Sequence, residues 1–443
     1  MTRPFLLVPL ALLLAGCLGS NENQPLPTNP TGDGVPSTFT PELYLPSSER
    51  FAEPGIKVAP DGTIYVTAPG ARNASPVPGA PVRGDTIWRS DDGGKSFKQL
   101  PLPDAGFGGG DSDLVVAADG TLYQSGLWAG CVSLSVSSDK GQTWRTNPLA
   151  CGYAAALDDR NWLAADGADT VYLTFGWAPN PLGSGRIALI KTIAQGQSLA
   201  VTSSSFEDSY QWPGNVAVDQ ASGVVYVAYT TQEDAVVVLR STDGGMTLEK
   251  RLVSQRKGDT FDSFGVVAVG KDGTVYVTWS ERDEPEGEKP ARTDVLYSYS
   301  QDQGSTWSAP TRVNSMGGSH IYPWLDAGVA GHLVIAWYGT EAGGDTPEKV
   351  NGTWNVYLAD SRTANSPKPG FSQFVVSQKP ISWGNICTSG TGCDAGTRDL
   401  LDYFQVDLDA QDVPHLAWAT RSWQEAATIT TSVSLAYAKQ LIP

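Results

Sequence analysis

An all-β chain built from repeated four-stranded antiparallel sheets is predicted by three observations. An octapeptide, Ser-x-Asp-x-Gly-x-Ser/Thr followed by a large apolar residue, recurs at Ser90 to Phe97, Ser137 to Trp144, Ser241 to Leu248 and Ser300 to Trp307. A second phrase lies between these copies: a β-branched strand, a turn built on Asp-Gly, and a strand carrying Tyr or Trp. It reads clearly at Val58 to Tyr65, Val116 to Tyr123 and Val267 to Tyr276, more loosely at Val216 to Tyr226, and faintly from Leu163, Leu325 and Val406. The spacing gives units of roughly 45 to 60 residues, which is the length of four short strands with their turns.

Each octapeptide is a tight hairpin. Asp92, Asp139, Asp243 and Asp302 can hydrogen-bond their own turn, Gly94, Gly141, Gly245 and Gly304 supply positive φ, and the closing apolar residue plugs the turn into the core. Ser137 and Ser241 stand about twice as far apart as Ser90 and Ser137, so a degenerate hairpin is expected between them, and Thr192-x-Ala194-x-Gly196-x-Ser198-Leu199 fits it with the Asp lost. In these motifs the chain resembles the Asp-box (BNR-repeat) sialidase-like β-propellers, as an exported lipoprotein member of that group. The resemblance implies a β-propeller, and the seven copies of the second phrase make it a seven-bladed one of four-stranded antiparallel blades; six blades with an accessory strand pair is the alternative. The last unit supplies only three strands after Asp402, so Glu42 to Leu45 is expected to provide the missing outer strand and to remove a sheet edge.

Residues 1–17 read as an export signal: Arg3 gives a positive start, Phe5 to Ala15 is apolar but too short to span a bilayer, and Leu14-Ala15-Gly16-Cys17 closes the segment. Those four residues resemble a lipobox, which implies that Cys17 carries lipid and that the protein is exported and anchored at the outer face of a prokaryotic membrane. An ordinary secretory signal is the plainer reading. Residues 18–39 lack the apolar content for a core and read as a tether reaching ~30 Å on average, with the propeller over residues 40–443. Setting Cys17 aside leaves an even four cysteines in a compartment that permits disulfides, paired as Cys131 with Cys151 and Cys387 with Cys393. Metal binding by cysteine is disfavoured, since there is no Cys-x-x-Cys and the chain has 3 His.

In the 443 residues, 47 Asp and Glu stand against 30 Lys and Arg, a formal charge of -17, which repels nucleic acid. One large domain and a monomer are expected. Asn73-Ala-Ser and Asn351-Gly-Thr match the glycosylation sequon, relevant only in a host that glycosylates.

The strand order places the octapeptide turns on one face of the disc and the long loops, Trp177 to Gly185, Glu281 to Thr293, Gly339 to Thr353 and Thr420 to Thr431, on the other, where binding residues are expected. Aligning the inner strands exposes a polar position five residues before each Val-Ala phrase, occupied by Glu53, Asp111, Asp158, Gln211, Asp262, His320 and Leu401, with Asp402 beside the last. Acids held around one opening raise each other's pKa unless a donor or cation compensates. Arg160 and Arg398 are candidate compensators. Calcium held by Asp111, Asp158 and Asp262 is another, against the plainer reading that these acids cap turns. Trp162, Tyr322, Trp324 and Tyr403 share the rim, where they suit either sugar stacking or core packing; Trp423, on a long loop, is expected to be the most exposed. His332 and His415 sit among strand hydrophobes and read as structural.

Sialidases of the resembled group carry a Phe/Tyr-Arg-Ile-Pro segment, an arginine triad, a Tyr backed by Glu, and an Asp acid. No Arg-Ile-Pro occurs here, and Arg160, Arg398 and Arg421 are the arginines placed on the loop face. His320-Ile-Tyr-Pro-Trp324 and the stretch from Cys387 through Arg398-Asp399-Leu-Leu-Asp402 resemble segments of exported sialidase-like proteins. The expected ligand site thus comprises Glu53, Asp111, Asp158, Arg160, Asp262, His320, Tyr322, Arg398, Asp399, Asp402 and Tyr403. It binds a glycan or protein ligand at the tunnel mouth. The alternative is an exo-sialidase-like glycoside hydrolase acting there, with Asp158, Asp399, Asp402, Arg160 and Arg398 as catalytic candidates. An envelope scaffold is a third reading.

Overall fold

The computed structural model describes residues 38–441 apart from 48–49, 71–83, 105–107, 129–130, 152–156, 179–185, 208–212, 232, 256–263, 284–290, 345–346, 389–392, 395–396 and 422–432. Cys17, the segment expected to be an export signal and most of the expected tether lie outside these residues. Among the described residues no helix is long and apolar enough to cross a membrane.

The protein is an all-β propeller. Two short strands open it, β1 (Thr38–Phe39) and β2 (Leu43–Tyr44). The first sheet is β3 (Gly55–Val58), β4 (Ile64–Ala68), β5 (Thr86–Ser90) and β6 (Lys98–Gln99), and the second is β7 (Ser112–Val116), β8 (Leu122–Trp128), β9 (Cys131–Ser137) and β10 (Arg145–Cys151). The third runs β11 (Leu157–Asp166), β12 (Thr170–Ala178), β13 (Arg186–Ile193), β14 (Ser198–Glu207), and the fourth β15 (Pro213–Val218), β16 (Val225–Thr230), β17 (Ala235–Ser241), β18 (Glu249–Gln255). A nine-stranded sheet follows in two halves: β19 (Val266–Val269), β20 (Val275–Arg282), β21 (Thr293–Ser300) and β22 (Thr311–Arg312), then β23 (Ser319–Ala327), β24 (Leu333–Thr340), β25 (Gly352–Ser361), β26 (Ser372–Val375) and β27 (Ser382–Gly384). One parallel pair, Thr293 with Ser319, joins the halves. The last sheet is β28 (Gln405–Leu408), β29 (Pro414–Thr420) and β30 (Ser434–Leu441), completed by β1 and β2 on the outer edge of β30.

The leading strands pack in series: β3 on β7, then β11, β15, β19, β23 and β28, and β28 returns to β3. These strands are edges, so their amides need partners from outside the ladder. Neighbouring side chains supply them. Leu163 N donates to Asp113 Oδ2 (2.8 Å), Val267 N to Asn215 Oδ1 (2.8 Å), Leu408 N to Asp326 Oδ2 (2.7 Å) and Val58 N to Asp407 Oδ2 (2.7 Å). Asp113, Asn215 and Asp326 also line a central cavity of about 280 Å³, with Lys57 as its cation, and burial together with the nearby Asp407 charge lifts Asp326 to about 7.

The octapeptides join third to fourth strands. Gly94 N donates to Ser90 Oγ, Ser90 Oγ to Asp92 Oδ1, and Ser96 N to Asp92 Oδ1; the other three copies repeat the pattern around Ser137, Ser241 and Ser300. The degenerate copy turns between β13 and β14, with Ala194, Gln195 and Gly196 all at positive φ and Asp169 accepting from Gln195 N. Between sheets lie whole aromatic side chains: Trp88, Trp162, Trp279, Trp337, Trp354 and Trp418 are fully buried. Each removes about 200 Å² from water, on the order of 5 kcal/mol as an upper bound.

Candidate functional site

Four residues at the strand-leading end of the ring hold a left-handed backbone without being glycine: Glu53 (φ 53), Arg160 (φ 58), Tyr322 (φ 54) and Leu401 (φ 56). Such a conformation costs about 1–3 kcal/mol per residue and persists where the surroundings enforce it. Bulges accompany two of them, since the β11–β12 register shifts between Asp159 and Trp162 and the β23–β24 register between Ile321 and Trp324. The effect is to aim Arg160 and Tyr322 at one point, where Glu53 and Asp402 also arrive.

The centre of that point is a branched ion pair. Arg160 Nη2 lies 2.6 Å from Asp402 Oδ2, Arg398 Nη2 lies 2.5 Å from the same oxygen, and Arg160 Nη1 is 3.8 Å from Glu53 Oε1. Asp402 N donates to Glu53 Oε1 (3.1 Å), and Arg160 N donates to Asp111 Oδ2 (3.2 Å). A second acid, Asp399, takes Arg50 at 2.6 Å and Arg421 at 3.5 Å. Below the guanidinium lies an aromatic floor. Arg160 sits 5.1 Å over the Phe264 ring, and Trp162 packs on Tyr403 (4.8 Å), Trp324 (5.2 Å) and Phe264 (6.0 Å). Trp324 also lines the central cavity, so this layer stands between cavity and mouth.

Several polar atoms of the cluster are buried with no hydrogen-bond partner: Asp402 Oδ1, Arg160 Nε and Nη1, and Arg398 Nε. Burial, reinforced by the charges of Asp111 and Asp402, pushes Glu53 well above the carboxylate range. Asp111 reaches solvent with part of its surface, yet loss of hydration and the neighbouring Asp159 charge lift it to about 7. Burial works against the charge on Arg160, and the carboxylates of Asp402, Asp111, Asp159 and Glu53 outweigh it. Burial raises the Tyr322 phenol as well, with Asp402 as the next cause.

The structure therefore brings together Glu53, Asp111, Arg160, Tyr322, Arg398 and Asp402, with Asp399 alongside and Tyr403 in the floor, donating to Ser112 O (3.1 Å). His320 points elsewhere: its Nδ1 accepts from Trp337 Nε1 (3.0 Å), its Nε2 meets Gly317 O (3.2 Å), and burial drops it to about 4. Asp262, Gln211 and Trp423 lie outside the described residues, as does the Asp158 side chain. Among the described residues no three His, Cys, Asp or Glu are grouped as a metal ion requires, and guanidinium groups supply the positive charge facing Asp402. Trp162, Trp324 and Tyr403 are buried, which makes them packing residues.

Arg50 escaped the sequence reading because it precedes the first inner strand and carries no motif. Asp85 and Asp104, both fully buried beside the site, also escaped it. Asp85 N donates to Asp104 Oδ1 (2.7 Å), Gln124 Nε2 donates to Asp85 Oδ2 (2.7 Å), and burial with the Asp104 charge raises Asp85 strongly. The segment carrying Arg398 is pinned by the Cys387–Cys393 disulfide and by Cys387 N donating to Thr397 O (2.9 Å). Cys131 is also disulfide-bonded, and the residue opposite it in the β9–β10 ladder is Cys151.

No family model matches the chain, and no curated protein matches it. Among solved structures it is similar to an α-L-arabinofuranosidase of Fusarium graminearum (15% identity, 90% of this chain, 97% of that chain, TM-score 0.49). It is similar to an α-L-arabinanase of Penicillium chrysogenum (14%, 93% of this chain and 98% of that one, TM-score 0.47) and to the NanB sialidase of Streptococcus pneumoniae (12%, 91% and 70%, TM-score 0.46). At these identities and superpositions the likeness bears on no residue of the site.

Proposed function

We propose that the protein is an exported, lipid-anchored, seven-bladed Asp-box propeller that binds a glycan at its tunnel mouth. Splitting the nine-stranded sheet at its single parallel pair gives seven units, five of four strands and two of five, whose leading strands pack in a closed series. The observation that carries the binding reading is the convergence of Glu53, Arg160 and Tyr322, each from a strained backbone, on the buried Asp402. Strain held at three side chains that meet at one point, with polar atoms left unpaired, is the mark of a preorganised polar site.

Hydrolysis is a second reading, favoured by Asp111. A carboxyl that titrates near 7 is suited to donating a proton to a leaving oxygen at neutral pH, with Asp402, held between two guanidinium groups, as the second carboxyl. Wild-type protein is tested for saturable binding to a glycan array and for turnover of aryl glycosides and sialosides. Binding lost in Asp402→Asn supports recognition, and turnover lost in both Asp111→Asn and Asp402→Asn supports hydrolysis. A wild type inert to every glycan overturns both. Mass spectrometry of the mature N-terminus checks lipidation at Cys17.

A further inference from the structure

We infer that the mouth takes a pair of adjacent hydroxyl groups on an uncharged sugar and turns away sugars that carry a carboxylate. This rests on the glycan reading and narrows it. The described guanidinium groups at the mouth are each engaged by an acid: Arg160 and Arg398 by Asp402, Arg50 and Arg421 by Asp399. Glu53 and Asp111 stand beside them as further acids, and Asp159 acts on Asp111. An incoming carboxylate therefore meets no uncommitted positive charge. It would have to break an existing ion pair in a poorly hydrated site, where leaving a charge unpaired is costly.

The unpaired atoms point the same way. Asp402 Oδ1 is an acceptor, while Arg160 Nη1 and Nε and Arg398 Nε are donors, and all belong to one hub in which Asp402 and Arg160 are nine-tenths buried. A hydroxyl both donates and accepts, so two neighbouring hydroxyls can donate to Asp402 and accept from the two guanidinium groups. A carboxylate offers acceptors alone and would leave Asp402 Oδ1 facing a like charge. An amine offers donors alone and leaves the guanidinium N–H groups unmet. The enforced backbone at Arg160 and Glu53 means that this donor and acceptor pattern exists before the ligand arrives.

The test is isothermal titration and array binding of the full mature chain. The probes are neutral hexose- and pentose-terminated oligosaccharides and matching glycans ended by sialic or uronic acid. At least one neutral glycan is expected to bind, its analogue lacking one of two adjacent hydroxyls at least tenfold more weakly, and the acid-terminated partners at least tenfold more weakly. Asp402→Asn should lower neutral-glycan affinity tenfold or more, and Arg398→Lys, which keeps the charge and removes Nε from the fork, should also weaken it should Asp402→Asn fail to fold. Acid-terminated glycans binding as tightly as neutral ones, or more tightly in Asp402→Asn, overturn this inference and leave the glycan reading standing. Silence toward both classes overturns the two together.

Discussion

Arg160 Nη2 and Asp402 Oδ2 meet at 2.6 Å, although the two residues stand 242 apart in the chain and lead different sheets. Removing the cation leaves the buried Asp402 with Arg398 alone and takes the guanidinium away from Glu53. Arg160→Met is expected to cost about 3–5 kcal/mol in urea unfolding at pH 7. The double variant Arg160→Met/Asp402→Asn should lose less than the two single losses summed. Strict additivity would show that the pair contributes nothing as a pair.

Asp111 titrates near 7 in the fold, against about 3.9 in an unfolded chain. A carboxyl raised by folding stabilises through its protonated form, so its contribution is complete below about pH 4 and is lost as pH climbs through about 7. Glu53, raised in the same direction, adds to the same slope. Asp111→Asn, neutral throughout, should retain thermal stability between pH 5 and 8 that the wild type gives up. In the hydrolytic reading, kcat/KM of the wild type falls about tenfold per pH unit above that pKa. An unchanged pH–stability curve in the variant would count against Asp111 as the titrating group.

Asp85 and Asp104 face each other with neither reaching solvent, and burial pushes both upward. Their shared proton stabilises the fold at low pH and is lost as pH rises through the raised value, which weakens the junction between the first two sheets in alkali. Asp104→Asn removes one of the two titrating carboxyls and its charge beside Asp85. Urea midpoints measured from pH 5 to 9 should fall for the wild type and fall less for the variant, which keeps only the buried Asp85 carboxyl. A parallel fall in both would remove the pair from consideration.

Two glycines with the same backbone requirement separate strain from crowding. Gly62 (φ +82) has nothing within 4 Å of an added Cβ, whereas at Gly94 (φ +85) the Cβ would stand 2.3 Å from the Tyr437 hydroxyl. Gly62→Ala is expected to cost about 1 kcal/mol from backbone strain alone. Gly94→Ala should cost clearly more, with neither changing glycan binding, because both lie on the face away from Arg160. Equal costs, read by chemical denaturation, would mean that the octapeptide turn yields without disturbing Tyr437.

Repeated hairpins were readable because each is a local device: Ser90, Asp92, Gly94 and Ser96 satisfy one another within a single turn. The third-to-fourth connection at Thr192 to Leu199 could be placed by spacing even without its Asp, and Glu42 to Leu45 could be placed from the strand missing beside β30. The register of the mouth was readable at Glu53 and Asp111, which lie just ahead of β3 and β7 with no bulge between them and the strand. It failed at His320, because the bulge between Ile321 and Trp324 rotates the strand and gives the inward place to Tyr322. A bulge depends on the partner strand, and Pro323, which cannot donate to a ladder, is the mark it leaves in this one. Arg50 and the Asp85–Asp104 pair were hidden for a related reason, since each acquires its partner only when distant segments meet.

Thr38 pairs with Leu441 and Leu43 with Tyr437, so the beginning of the described chain completes the sheet formed by its end. During synthesis the first of these strands leaves the ribosome hundreds of residues before its partner exists. The earlier sheets can order themselves locally as they emerge, but circular closure must wait until β30 has emerged. Arg160 must wait equally long for Asp402. Non-local contacts of this separation slow folding and prolong the exposure of unpaired edges. Truncation even a few residues before Leu441 should therefore trap an open horseshoe that chaperones or proteases recognise, so β30 carries the commitment to a closed molecule.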